Sequence, residues 1–200
     1  MKARTVLLIL LLTGLVVSCI PSLYPLYEAK DLLLDKQLEG IFASGEDEYW
    51  RIELLDLEWE KEFSDDWNRY NSGKTYKLVV REDELVQDFA LHLLKLGDDH
   101  YLDFYPVDFD IPNKLLKQQL IPAHIFAKVE ISEKYLVLHY FNNDWLDELF
   151  DQKQIKLSHT ELPDRYLLTA KTGELQKFII KYANDSTTFV EADTLLRKPV

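Results

Sequence analysis

The chain has 200 residues, 35 Asp+Glu against 23 Lys+Arg for a formal charge of −12, and a single cysteine. That balance repels a nucleic-acid backbone, and one thiol excludes an internal disulfide or a cage of thiolates around a metal. Four Trp, 11 Tyr and 10 Phe, none before Tyr24, supply enough apolar surface for one domain with a real core.

The first nineteen residues set the context for the rest. Lys2 and Arg4 form a basic head, Val6 to Val17 is apolar except for Thr13 and Gly14, and Ser18-Cys19 closes the run. This is the pattern of a secretion signal, and its apolar stretch of about twelve residues is short of the roughly 20 that a permanent membrane span needs. Val16-Val17-Ser18-Cys19 resembles the lipobox of bacterial lipoproteins. That resemblance implies cleavage before Cys19, acylation of its thiol with palmitate-type chains, and usually acylation of the new amine. Two or three chains hold a protein durably on a membrane where one does not. Ile20, rather than Asp, follows the cysteine, which by resemblance favours the outer membrane, facing the periplasm or the surface. Removing residues 1–18 takes away Lys2 and Arg4 and no acid, leaving 182 residues with 21 basic against 35 acidic side chains, a formal −14. Such a body is expected to stand off anionic headgroups.

After the cysteine there is no flexible tether. Ile20 to Tyr27 carries two prolines, two tyrosines and three aliphatic residues, and reads as an extended segment that packs on the body or the membrane surface. Asp31 to Leu38 is a short apolar lead-in, and Leu38 to Phe42 opens the folded body. Period-two alternation then dominates, at Trp50-Ile52-Leu54, Leu57-Trp59-Lys61-Phe63 and Tyr76-Leu78-Val80. Asn71-Ser72-Gly73 reads as a turn. Leu85 to Leu96 is long enough for a twelve-residue strand, and Gly97-Asp98-Asp99 turns it into Tyr101 to Tyr105 as a hairpin. Pro106 to Pro122 breaks the rhythm, with Asn113 as the start of a short helix through Leu120. Ile125 to Ile131 and Tyr135 to Phe141 form a second hairpin about Glu133-Lys134. Asn143 or Asp144 is expected to cap a helix over Trp145–Gln152, and Thr172 precedes a better one carrying Leu175, Phe178, Ile179 and Tyr182 on one face. Between them Ile155–His159 and Tyr166–Thr169 read as a strand pair. Thr187–Val190 reads as the last strand, followed by a polar tail.

These elements predict a mainly β protein with a few helices: an antiparallel meander curled into a barrel or half-barrel, or alternatively an α+β open antiparallel sheet covered by helices. The division is 1–18 as a removed signal, 19–37 as a lipidated N-terminus and packed lead-in, and 38–200 as one β-rich domain. The order of a lead-in, a Gly-containing first strand, a meander and a late helix resembles the lipocalins (calycins), with Gly40-Ile41-Phe42 carrying Phe where their Gly-x-Trp has Trp. The mature chain is also similar to an uncharacterised family of envelope lipoproteins. The cues are Leu23-Tyr24-Pro25-Leu26-Tyr27, Leu102-Asp103-Phe104-Tyr105-Pro106 and Leu120-Ile121-Pro122-Ala123-His124-Ile125-Phe126.

No reactive cluster stands out. There is no Gly-x-Ser-x-Gly, no phosphate-cradling glycine loop and no His-Glu-x-x-His, and Ser158-His159 would point to opposite faces of a strand. His139 shares a face with Tyr135, Val137 and Phe141 and reads as structural. His124 reads as exposed or turn-capping. Asp98-Asp99-His100 with Asp103, and Asp108-x-Asp110, hold oxygen ligands but lack the EF-hand spacing. No cofactor and no metal is expected. The aromatic strand residues suggest an apolar cavity, with Tyr101, Phe104, Tyr105, His124, Phe126, Tyr135, His139 and Trp145 as candidate lining. The expected function is a non-catalytic binding or accessory module on the cell envelope, held by acylated Cys19, with an envelope protein or a small hydrophobe as partner. The alternatives are a lipocalin-like carrier of a lipid and a carboxylate-based envelope hydrolase.

Overall fold

The computed structural model describes residues 19–43, 45, 48–55, 73–107, 113–163 and 165–199. The strand expected over 57–63 and the pair Asp108-x-Asp110 lie outside the described residues. In chain order the elements are β1 (Leu32–Leu33), a 3-10 turn (Lys36–Leu38), β2 (Gly40–Ala43), β3 (Glu48–Leu54), β4 (Thr75–Glu82), β5 (Leu85–Leu96), β6 (Asp99–Pro106), α1 (Lys114–Gln119), β7 (Ile125–Ile131), β8 (Tyr135–Tyr140), α2 (Asn143–Asp151), β9 (His159–Glu161), β10 (Tyr166–Leu168), α3 (Thr172–Tyr182), a second 3-10 turn (Ser186–Thr188) and β11 (Asp193–Arg197).

Eight of these strands close a barrel. The order β5-β4-β3-β2-β11-β8-β7-β6 is antiparallel at every neighbour, and β6 pairs back onto β5. One strand performs that closure. β5 pairs β4 through His92 and β6 from Phe89 onward, so its twelve residues serve both neighbours in a staggered register. Gly97, at φ +62°, turns β5 into β6 as its position predicts. Short β1 continues the β4 side of β5, with Leu32 opposite Leu94.

Alternation sorts the side chains into two cores. Phe42, Ile52, Tyr76, Leu78, Leu91, Leu93, Leu102, Phe104, Ala127, Val129, Leu136, Leu138 and Leu195 fill the lumen, and Leu38 of the 3-10 turn plugs one end. The opposite parity of β5–β7 (Leu94, Leu96, Tyr101, Phe126) packs outward under Ile20, Leu26, Trp145, Leu146, Leu149, Leu175, Phe178 and Ile179. The barrel is therefore closed, as the first expectation had it. Part of the alternative survives too: α2 and α3 cover one outer wall.

Four details differ from the expectations. The cap of α2 is Asn142, whose Oδ1 accepts from Asp144 N at 3.0 Å and from Trp145 N at 3.4 Å, one residue earlier than foreseen. The N-cap of α3 is Lys171, which has no side-chain acceptor to offer, and Thr172 is the first helical residue, its Oγ1 donating to Pro25 O at 2.8 Å. Of Ile155–His159 only His159 is strand, in a separate two-stranded sheet. Thr187–Val190 is not a strand either. Asp185 accepts from Thr187 N and folds that stretch into the second 3-10 turn, leaving Phe189 a lone bridge to Phe141. The closing strand is β11, in what reads as a polar tail.

One end of the barrel is sealed by Arg197 of β11. Its guanidinium lies 4.4 Å from the centroid of the Phe42 ring and donates to Glu133 O at 2.7 Å, to Glu39 O at 2.5 Å and to Gln37 O. Gly40, at φ +139°, is required beside it: a Cβ there would collide with Nη1 of Arg197. The residues of the Gly40-Ile41-Phe42 stretch are thus the seat of an arginine from the opposite end of the chain.

Candidate functional site

The Arg197 end also carries the β5–β6 and β7–β8 turns. The other end carries the β4–β5 turn, the β6–β7 connection with α1, the C-terminal end of β8 and the start of β11. Here the inner core grades into solvent. Trp50, Val80, Phe89 and Tyr140 belong to the lumen cluster but are only half-buried, above the fully buried Tyr76, Leu78 and Leu91. Trp50 meets Phe104 edge-on, with centroids 5.6 Å apart and planes at 77°. This is an aromatic mouth on an apolar barrel.

Ionisable groups rim it. Burial, chiefly, pushes the Tyr140 hydroxyl above the ordinary tyrosine range, with Cys19, Asp193 and Glu82 adding to it. Burial, then Glu191, raises the Asp193 carboxyl. The Cys19 thiol is pushed up to about 11, first by burial and then by the charge of Asp193. Cys19 thus sits beside the mouth, within electrostatic reach of two of its rim groups.

From Cys19 the chain runs onto the barrel wall with no slack. Ile20 is buried, and Ser22 bridges His124 on one side and Leu168 on the other through Ser22 N to His124 O and His124 N to Ser22 O (both 2.8 Å), and Leu23 N to Leu168 O and Leu168 N to Pro21 O (both 2.9 Å). Asp103 of β6 then clamps the segment. Its Oδ2 accepts from Leu26 N at 2.7 Å while its Oδ1 lies 2.7 Å from His124 Nδ1, and Tyr105 lays its ring on His124 at 4.6 Å. Gln176 of α3 donates to Leu26 O at 2.9 Å and to Asp31 Oδ2 at 2.7 Å. A carboxylate with two charge-assisted or backbone partners is the arrangement that makes a buried charge tolerable. Ser22, Asp103 and His124 are 0%, 0% and 2% exposed, so this Ser/His/Asp grouping is sealed from solvent and acts as a clamp.

Of the eight residues expected to line a cavity, Phe104 alone faces the lumen. Tyr101, Phe126 and Trp145 belong to the outer core, and Tyr105 and His124 form the clamp beneath the N-terminal segment. His124 is buried rather than exposed, because the segment 20–26 covers it. Tyr135 and His139 stand on the outer wall of β8, Tyr135 exposed. His139 Nε2 lies 3.0 Å from Glu130 in a surface cleft of about 310 Å³ with Lys128, Asp185 and Phe189. The residues that shape the mouth, Trp50, Phe89, Tyr140 and Asp193, were missed as a set. The signal for the first three was their parity with Ile52, Leu91 and Leu138 along their strands. Of the carboxylates around Asp98-Asp99-His100, Asp99 pairs with Lys128 at 2.8 Å and Asp103 with His124. Among the described residues no group of three or more His, Cys, Asp or Glu gathers as for a metal, and no helix is long and apolar enough to cross a membrane.

No protein-family model, curated protein or solved structure matches the chain. Its fold therefore speaks alone. An eight-stranded barrel of this size is suited to a binding or carrier role, with room for side chains or one small ligand.

Proposed function

We propose that this chain is a lipid-anchored envelope protein, acylated at Cys19, whose barrel mouth binds a small apolar or amphipathic ligand. The observation that carries the reading is the gradient at the mouth: half-buried Trp50, Phe89 and Tyr140 over a buried, mostly apolar interior, with Cys19 beside them. Aromatic rings there offer large contact area at low entropic cost, and the Tyr140 hydroxyl and Asp193 supply polar contacts for a headgroup. The lipobox supports the anchor, and the packed segment 20–26 fits a protein held close to its membrane.

The test is to purify the full acylated chain from membranes, extract it with organic solvent, and identify by mass spectrometry any molecule present beyond the Cys19 lipid. A stoichiometric hydrophobe that is lost in Trp50→Ala, with the fold intact by circular dichroism, supports the reading. A protein that yields none and binds no fluorescent apolar probe at the mouth overturns it.

A further inference from the structure

We propose that the mouth end of the barrel seats directly on the lipid bilayer that holds Cys19, with α1 and the β4–β5 turn entering the headgroup layer. This rests on the lipid-anchored reading above. Three observations carry it beyond that reading.

The first is an unexplained helix. α1 is six residues long and buries none of them. Isolated helices below ~12–15 residues are marginal in water, so a helix that buries none of its side chains gains from a surface outside the chain. Its apolar side chains are Leu115 and Leu116, followed by Leu120 and Ile121, and Leu115 is 67% and Ile121 73% exposed. The second is the company it keeps. Leu85, 75% exposed, and Val86 open β5 at the same end of the barrel, where Gln87 donates to Val107 O and ties the β4–β5 hairpin to the connection that bears α1. Six large apolar residues thus project from one end.

The third is the lack of slack at Cys19. Ile20 is buried, Ser22 is paired on both sides, and the thiol lies by Asp193 and Tyr140 at the mouth. Acyl chains leaving Sγ begin at the protein surface, so the bilayer must come to the mouth. Charge decides the kind of seat. Glu82, Asp83 and Glu84 at the hairpin tip oppose anionic headgroups, whereas Lys114 and Lys117 on α1 can lay their stems along the apolar surface and keep their ammonium groups in the headgroup layer. The seat is therefore shallow, apolar and compatible with zwitterionic lipid. Its consequence is that the aromatic mouth faces the acyl layer, and a hydrophobe enters without crossing water.

Acylation consumes the only thiol, so one introduced cysteine can be labelled uniquely in the full acylated chain. With an environment-sensitive fluorophore on Ile121→Cys, Leu85→Cys or Leu54→Cys, the last at the opposite end, the protein is reconstituted in phosphatidylcholine vesicles carrying a doxyl-lipid quencher. The labels at 121 and 85 are expected to be quenched at least about threefold more than that at 54, and the double change L115D/L116D to abolish the difference at 85. The acyl state of Cys19 is read by mass spectrometry in the same samples. Acylated protein with equal quenching at all three positions overturns the seat and leaves the anchor standing. Unacylated protein that stays off the vesicles overturns both. Unacylated protein that carries Cys19→Ser, so that the label stays unique, and binds with labels 121 and 85 quenched upholds the seat and sinks the anchor.

Discussion

Replacing Asp103 by alanine removes two buried partnerships at once. The Asp103 carboxylate is 0% exposed and accepts from Leu26 N and faces His124 Nδ1, each at 2.7 Å. After substitution the Leu26 amide and the imidazole of a histidine that is 2% exposed both lose their acceptor. A buried donor left unsatisfied costs about 1–3 kcal/mol, and breaking a buried pair about 3–5 kcal/mol, so the substitution is expected to destabilise by ~3–5 kcal/mol. Against a typical total of about 5–15 kcal/mol that is a large fraction. The assay is urea unfolding of the wild type, D103A, H124F and the double variant. The coupling between the two positions is expected to be at least ~1.5 kcal/mol, because removing His124 as well removes one of the stranded donors. Hydrogen exchange supplies a local readout: the Leu26 amide should lose its protection in D103A before the strands of β7 and β8 do. A ΔΔG below about 1 kcal/mol, with Leu26 still protected, would refute the clamp.

Gly40→Ala forces a side chain into a φ of +139° and displaces Arg197 from its three carbonyls; a loss of at least ~2 kcal/mol is expected from the urea midpoint, matched by Arg197→Ala and only partly relieved by Arg197→Lys. The Tyr101 hydroxyl is buried and has no hydrogen-bond partner among the described residues, so Tyr101→Phe should raise stability by about 1 kcal/mol; a loss of that size would mean the hydroxyl is satisfied. For the unacylated chain, the folded thiol near 11 ionises after the unfolded one, near 9. The unfolded state then binds fewer protons between those values, so stability is unaffected below pH 9 and falls as pH rises from 9 to 11, a decline that Cys19→Ser should abolish in a pH series of melts. Alkylation of the native thiol at pH 9 should likewise run at least about tenfold slower than in urea.

Much of the barrel was legible because its strands are one-sided. Trp50-Ile52, Tyr76-Leu78 and Val129-Ile131 alternate cleanly with polar neighbours, and Gly97 marks a tight turn at the right place. The stretch Ala90 to Leu96 is apolar at both parities except for His92 and Lys95, and it is buried on both faces by lumen and helices; that doubled pattern is the sequence's sign of a second layer. β11 was illegible for local reasons. Leu195 and Leu196 are adjacent and spoil the alternation, and the inward Arg197 looks like surface until Phe42 and Gly40 are placed beneath it. Parity along β6 does put Tyr101, Asp103 and Tyr105 on one face, yet nothing local says that this face is roofed by residues 20–26. The clamp joins positions 26, 103 and 124, and the mouth joins 50, 89, 140 and 193. Those proximities exist only after closure.

The barrel's seam has a consequence for how the chain reaches its native state. β2, near the start of the domain, is closed by β11, near its end, through only two registered pairs, Phe42 with Arg197 and Ala43 with Leu196. The segment beside Cys19 likewise waits for Thr172 and Gln176. The cylinder cannot close before β11 is in place, and the N-terminal fastening cannot form before α3 is. Closure is therefore a late event, slow by virtue of its long loops. A chain cut before Leu195 would present β2 and β8 as two bare edges, ready to pair with those of another molecule.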